Sequence, residues 1–247
     1  MRSDLYKEMY ELEESYWWHV AKRRLVKMFL QQYLTSFSDK EYVDVGCGTG
    51  KLLEEKKKWK KWKRVIGLDG SDQALNFCRR RGITEVRKED FEKKLTLKTE
   101  SVDVITCLDV VEHVEKDQEL LKEFYRVLRP GGYSVITVPA YQWMWTYWDD
   151  ILGHKRRYTK IEVELKFVKA GFKVTKISYF YSYLLPIALL FRFVKSFSPK
   201  TKGSSDFIAL PHWVNQILLA FSAVETRLVK NVTLPIGLSV VCVAQKI

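Results

Sequence analysis

The chain has 247 residues, 47% of them hydrophobic and 29% charged, enough apolar surface for one large α/β domain with additions. Lys and Arg number 42 against 30 Asp and Glu, a formal charge of +12 that directs attention to anionic partners or surfaces. Four cysteines at 47, 78, 107 and 242 have neither Cys-x-x-Cys nor framework spacing, which argues against a disulfide scaffold and fits reduced thiols in the cytoplasm.

The chain opens with Met1-Arg2-Ser3-Asp4 and an acidic stretch, so no signal peptide is expected. Glu13 to Leu25 then packs aromatic residues and cations into a short, helical-looking run. Its aromatics, Trp18 among them, could lid a ligand, and Lys22, Arg23 or Arg24 could pair with an anionic group. An amphipathic helix covering a sheet accounts for the same pattern. Next, the apolar strand Val43-Asp44-Val45 runs straight into Gly46-Cys47-Gly48-Thr49-Gly50 and then into a helix. Glycines permit a tight strand-to-helix turn and let backbone N–H groups approach a nucleotide-like ligand. A dinucleotide fingerprint would need glycine at 51, where this chain has Lys51.

The following helix carries the basic run Lys56 to Arg64. Leu52, Trp59 and Trp62 can share one side of that helix and leave the lysines solvated, although nucleic acid or an anionic membrane would also suit the run. Lys63 to Asp69 reads as a second strand, and Asp69 at its end is suited to accept the ribose hydroxyls of a nucleoside. Thr84 to Phe91 reads as a third strand, Ser101 to Val114 as a fourth with its loop, and Leu120, Leu121, Phe124, Val127 and Leu128 as one face of a helix. Arg129-Pro130-Gly131-Gly132 stops that helix, and Val135 to Val138 is a fifth strand.

The segment from Trp143 to Tyr158 follows a strand's carboxyl end, where open α/β sheets place ligands. It is the candidate acceptor loop, with Trp145, Arg156, Arg157 and Tyr158, beside Trp18 and Arg23, as candidate substrate contacts. After a helix from Glu162 and a sixth strand to Tyr179, an apolar insertion at 181–234 separates the sixth strand from the seventh, Leu238 to Ala244. Ser198 to Asp206 is the one flexible-looking linker in it. Neither apolar segment has the ~20 uninterrupted residues of a membrane span. Interfacial attachment through apolar side chains with Arg192, Lys195 and Lys200, an active-site cap and a dimer contact all remain open. The expected organisation is one domain, with a helical cap at 1–38, a cofactor-binding core at 39–180, the insertion at 181–234 and the last strand at 235–247.

Asp44 with Gly46, Gly48 and Gly50 resembles the first motif of class I S-adenosylmethionine (SAM)-dependent methyltransferases, Asp-x-Gly-x-Gly-x-Gly, and the later acids follow in that family's order. The resemblance implies SAM as cofactor, the glycine turn facing its methionine part, and a site comprising Asp44, Gly46, Cys47, Gly48, Gly50, Asp69, Gly70, Asp90, Phe91 and Leu108, with Asp90-Phe91 meeting adenine. It implies a Rossmann-like α/β fold: seven mostly parallel strands, helices on both faces and an antiparallel last strand. The Trp17-Trp18-His19-Val20-Ala21-Lys22-Arg23-Arg24 run, the segment Gly153 to Tyr158 and Leu234 to Ser239 resemble type 11 small-molecule methyltransferases, some of them linked to glycan or lipid assembly. The Glu112-His113-Val114 loop is similar to that of quinone-biosynthesis methyltransferases. In some of those a divalent metal binds there, which would here involve Asp109, Glu112 and His113; methyl transfer requires none, and no metal is expected.

The expected reaction is methyl transfer to an oxygen of a small or lipid-linked acceptor, in the cytoplasm and at the inner face of the membrane. His154 is the expected base with Asp150 orienting it, and His113 is the alternative. An RNA methyltransferase is disfavoured because the loop after the fourth strand lacks the Asn-Pro-Pro-Tyr pattern of many base-amino methyltransferases. A non-catalytic SAM-binding or membrane-interaction module is the other alternative. Oligomeric state is left open.

Overall fold

A computed structural model describes residues 3–196 and 210–247, with side chains described over 5–190 and 210–247. Two helices, α1 (Ser3–Leu12) and α2 (Trp17–Tyr33), precede the alternation of β1 (Glu41–Val45), α3 (Lys51–Trp59), β2 (Arg64–Asp69), α4 (Asp72–Arg80), β3 (Val86–Lys88), β4 (Val102–Leu108), α5 (Asp117–Val127) and β5 (Leu128–Pro139). Then come α6 (Tyr147–Leu152), α7 (Lys160–Lys169), β6 (Lys173–Phe180), α8 (Leu185–Ser196), α9 (His212–Asn231) and β7 (Ser239–Gln245). The strand order is β3-β2-β1-β4-β5-β7-β6, with β7 antiparallel to both neighbours. The expected Rossmann-like sheet is what forms, and its last strand inserts between the fifth and sixth.

Alternating side chains explain the layers. Val43 and Val45 of β1 join one core with Leu120 and Phe124 of α5 and Phe167 of α7, while Tyr42 joins the other with Phe29 of α2, Leu53 of α3 and Val229 of α9. Burying each such phenylalanine contributes about 1.5–3 kcal/mol. The order of connections reverses between β1 and β4, so the loops leaving these two adjacent strands flank a topological switch point.

Three local readings change. The third strand is only Val86–Lys88, and the fifth starts at Leu128, with the pairing of β4 and β5 shifting register between Val102 and Val104. Gly131, at φ 80°, takes the left-handed conformation there and its N–H donates to Lys246 O at 2.8 Å. The basic run is not uniformly solvated either: α3 ends at Trp59, before Trp62, and its inward face is Leu52, Leu53 and Lys56. The Lys56 ammonium lies 4.9 Å over the Trp59 ring, and burial pushes its pKa down to about 8. The linker at 198–206 lies outside the described residues, as do the side chains of Arg192, Lys195 and Lys200.

Candidate active site

At the carboxyl end of β1 the chain turns through three left-handed glycines, Gly46, Gly48 and Gly50, at φ 73°, 53° and 86°. A Cβ at Gly46 would lie 2.1 Å from Val110 Cγ2, because the loop after β4 crosses directly over the turn. Asp69, ending β2, accepts the Gly48 N–H and the Ser71 N–H, both at 2.9 Å. Its carboxylate is thereby aimed along the glycine turn, although burial raises its pKa. Asp44 lies deeper, accepting Thr106 Oγ1 at 2.6 Å, and burial pushes its pKa up to about 7. Cys47 packs 3.8 Å from the Cys78 sulfur, Leu108 closes β4 against the same core, and Gly70 sits at the exposed end of the Asp69 turn.

Helix α1 rests on this turn. A Cβ on Gly48 would come 2.4 Å from Met9 Cε, and Tyr6 hydrogen-bonds Ser71 beside Asp69. Met9 therefore has to swing aside for any ligand that approaches the Gly48 backbone, a movement its flexible side chain permits. Arg81 of the α4 C-cap fastens the α1–α2 corner: its guanidinium stacks 4.2 Å over Tyr10 and donates to Tyr10 O, Thr49 O, Glu13, Glu14 and Glu54. Nothing in the local sequence around Arg81 signals that role.

Beyond the switch point, the loops after β4 and β5 meet through Lys155 N–H donating to Glu112 O at 2.7 Å. Lys22 reaches in from α2, is buried, bonds the Asp109 carboxylate and lies 4.4 Å from the Trp18 ring centre. Asp109 has φ 54°, a strained conformation for a non-glycine residue, held by Thr137 Oγ1 donating at 2.9 Å. Glu112 is fully buried with neither carboxylate oxygen hydrogen-bonded among the described residues. Burial pushes its pKa up and that of Lys22 down.

His154 Nδ1 lies 2.7 Å from Asp149 Oδ1, and its Nε2 is 3.9 Å from Glu112 Oε1. Asp149 is fully buried and also receives Arg157 Nε at 2.7 Å and Nη2 at 2.9 Å. Burial alone would raise the Asp149 pKa, but the hydrogen bonds from His154 and Arg157 overcome it and hold the group well below the usual carboxylate range. His113 meets His154 edge-on, with ring centres 4.7 Å apart. Ligand atoms of Glu112, His113 and His154 lie within 4.8 Å of one another, a three-residue group that could hold a cation.

Several of the expected site residues have protein partners here. The partner of His154 is Asp149 and not Asp150, whose carboxylate accepts Trp145 Nε1 at 3.1 Å. The cause is a capping box at the start of α6, which turns Asp149 inward against Thr146 and leaves its neighbour exposed. Arg23 is buried and occupied by Glu55, Glu13 O and Glu14 O at 2.7, 2.5 and 3.4 Å, so it braces the α1–α2 corner. Arg156 pairs with Glu115 and Asp117, both at 3.1 Å, and the Tyr158 hydroxyl donates to Asp117 at 2.8 Å. These two hold the acceptor loop against α5. Arg157 acts through Asp149, while Trp18 stacks on Tyr181 with centres 4.2 Å apart and walls off Lys22. Asp90 is exposed and turned to Lys93 at 3.0 Å and the Glu92 N–H at 3.1 Å, with Phe91 packed against the core.

Two half-buried histidines make the fold acid-sensitive. Burial lowers the pKa of His113 to about 4 and that of His19 to about 3, each from an ordinary 6.5. The unfolded chain thus binds more protons below pH 6.5, and stability falls as pH drops from there towards 4. Each histidine contributes on the order of 1.4 kcal/mol per pH unit inside that window. Urea melts between pH 7 and 4 should show the slope, and His113→Gln should remove part of it.

A glycine turn and a carboxylate at neighbouring strand ends lie beside an acid–base cluster built around the buried Asp149 and Glu112, and this core resembles that of SAM-dependent methyltransferases. Residues 43–136 match the type 11 family model described as a methyltransferase domain. The ubiquinone biosynthesis O-methyltransferase of Idiomarina loihiensis is 30% identical over 109 residues, covering 42% of this chain and 44% of that relative. The chain thus spans less than half the length of the curated relatives it matches first. Among solved structures, a Haloferax volcanii methyltransferase in complex with the Trm112 methyltransferase activator shares the fold at TM-score 0.64 and 20% identity, covering 99% of this chain and 93% of that one. A Thermotoga maritima SAM-dependent methyltransferase does so at 0.60 and 19%, covering 99% and 95%. The glycine turn and Asp69 fit SAM: a Cβ-free approach at Gly48, and a carboxylate already oriented by two backbone donors.

Proposed function

We propose that this protein transfers a methyl group from SAM to an oxygen of a small or lipid-linked acceptor, working peripherally at the inner face of the membrane. When bound, SAM supplies an electrophilic methyl on a sulfonium. The residues that would hold it are Gly46, Gly48 and Asp69, with Asp44 beneath them. The chain's own task is then to position the acceptor, exclude water and take up the proton of its hydroxyl.

The observation that carries this reading is the Arg157–Asp149–His154 series, closed around the buried Asp149. Asp149, kept ionised by Arg157, holds the proton on His154 Nδ1 and leaves Nε2 with a lone pair, the tautomer that accepts a hydroxyl proton. The imidazolium so formed lies against Asp149, whose ionised carboxylate favours its charge. The likeness over 109 residues to an O-methyltransferase supports oxygen as the methylated atom. The test is incubation of the full chain with methyl-labelled SAM and extracts of lipids and small metabolites, followed by mass spectrometry. Label on an oxygen of a small or lipid product is expected. Label on nitrogen, carbon or RNA alone, or no labelled product, would overturn the proposal.

A further inference from the structure

Helix α9 is built inside out. Its only acid, Glu225, is buried with Ser222 and Thr226, while Trp213, Ile217, Phe221, Val224 and Leu228 are between 46% and 66% exposed. These five recur at i, i+4, i+8, i+11 and i+15, forming one stripe along the outer face. The orientation is set by the inward polar groups. Glu225 accepts the N–H groups of Tyr181 and Ser182 at 2.8 and 2.6 Å, and Ser222 Oγ lies 2.8 Å from the Tyr183 hydroxyl. Rolling the helix to hide the stripe would break all three contacts and leave the Tyr181 and Ser182 N–H groups without their acceptor. Ile187 and Leu190, at the start of α8, add further exposed apolar surface.

We infer that this stripe is the face on which the protein seats itself against an anionic lipid surface. No described helix is long and apolar enough to cross a membrane, and an outward apolar stripe suits a helix lying in the plane of the interface. Charge selects the occupant. The cations of α9, Arg227 and Lys230, remain exposed and the chain carries +12 overall, so a second copy would bring like charge while anionic headgroups complement it. Asn215 ties this helix to the cap over the active site, accepting the Trp17 N–H and donating to Ser15 O, both at 2.9 Å. Seating α9 therefore sets the cap, with Trp18 and Lys22, near the lipid.

This deepens the lipid-facing part of the proposed function and rests on it. Flotation needs neither methyl donor nor acceptor, so its failure would leave methyl transfer standing. The full chain should float with vesicles of equimolar phosphatidylcholine and phosphatidylglycerol but not with phosphatidylcholine alone, and salt should weaken the binding. The doubly substituted Ile217→Glu, Val224→Glu chain changes only exposed positions, so its thermal melt should match the parent while its partitioning falls at least about tenfold. Equal flotation of parent and variant, or none by the parent, would overturn the inference. So would a vesicle-free dimer, seen by sedimentation, that the double variant dissociates.

Discussion

Replacing His154 by alanine is expected to lower the rate of methyl transfer about 10²–10⁴-fold while leaving SAM binding unchanged. The expectation follows from how little freedom the ring has. Its Nδ1 is committed to Asp149, which is itself clamped by both Arg157 nitrogens and the Thr146 N–H, the last at 2.7 Å. Only Nε2 is left to meet a hydroxyl, and it lies 3.9 Å from the buried Glu112 carboxylate. Asp149→Asn keeps the shape but removes the charge that fixes the tautomer, and should cost a large share of the same factor. Asp150→Asn, in contrast, should behave like the parent, since the exposed Asp150 carboxylate accepts from Trp145 and His154 is held by Asp149. Full transfer by His154→Ala at every pH, with loss in His113→Ala, would reassign the base.

Asp69→Ala is expected to weaken SAM binding at least about 10²-fold with no selective effect on the chemical step. Two losses combine. Hydrogen bonds to a charged acceptor contribute about 1.5–3 kcal/mol each, so two ribose hydroxyls account for a factor of this size. The Gly48 and Ser71 N–H groups also lose their acceptor, and the glycine turn loses the contact that holds it at the end of β2. Asp69→Asn keeps one acceptor oxygen but turns an amide N–H₂ towards a backbone donor, so its loss should be intermediate. Calorimetric titration with SAM separates the three; binding by Asp69→Ala within threefold of the parent would remove Asp69 from the cofactor site. Because His154→Ala should titrate normally, the two predictions fail independently.

The cofactor side was legible because its chemistry is local. A strand running into glycines at 46, 48 and 50, and an acid ending the next strand, are each specified within a few residues. The acceptor side was less so. Asp149 and Asp150 are adjacent acids of equal chemistry, and only the capping box at Thr146 decides which one faces His154. Arg23, Arg156 and Tyr158 carry the right functional groups for ligand contacts, yet each is consumed by a partner 10 to 41 residues away. Lys22 gained its place at Asp109 through an 87-residue separation that no spacing rule in α2 records.

By itself, the sequence determined the alternation of strands and helices, the glycine turn, Asp69 and the apolar character of the insertion, since periodicity and turn chemistry act over one or two turns of chain. Only the tertiary structure decided that α1 rests on the glycine turn, that Arg81 fastens it there, that Asp149 is the histidine's partner, and that α9 turns its polar residues inward. Each of those depends on which of several chemically similar groups is desolvated, and desolvation is set by the packing of distant segments.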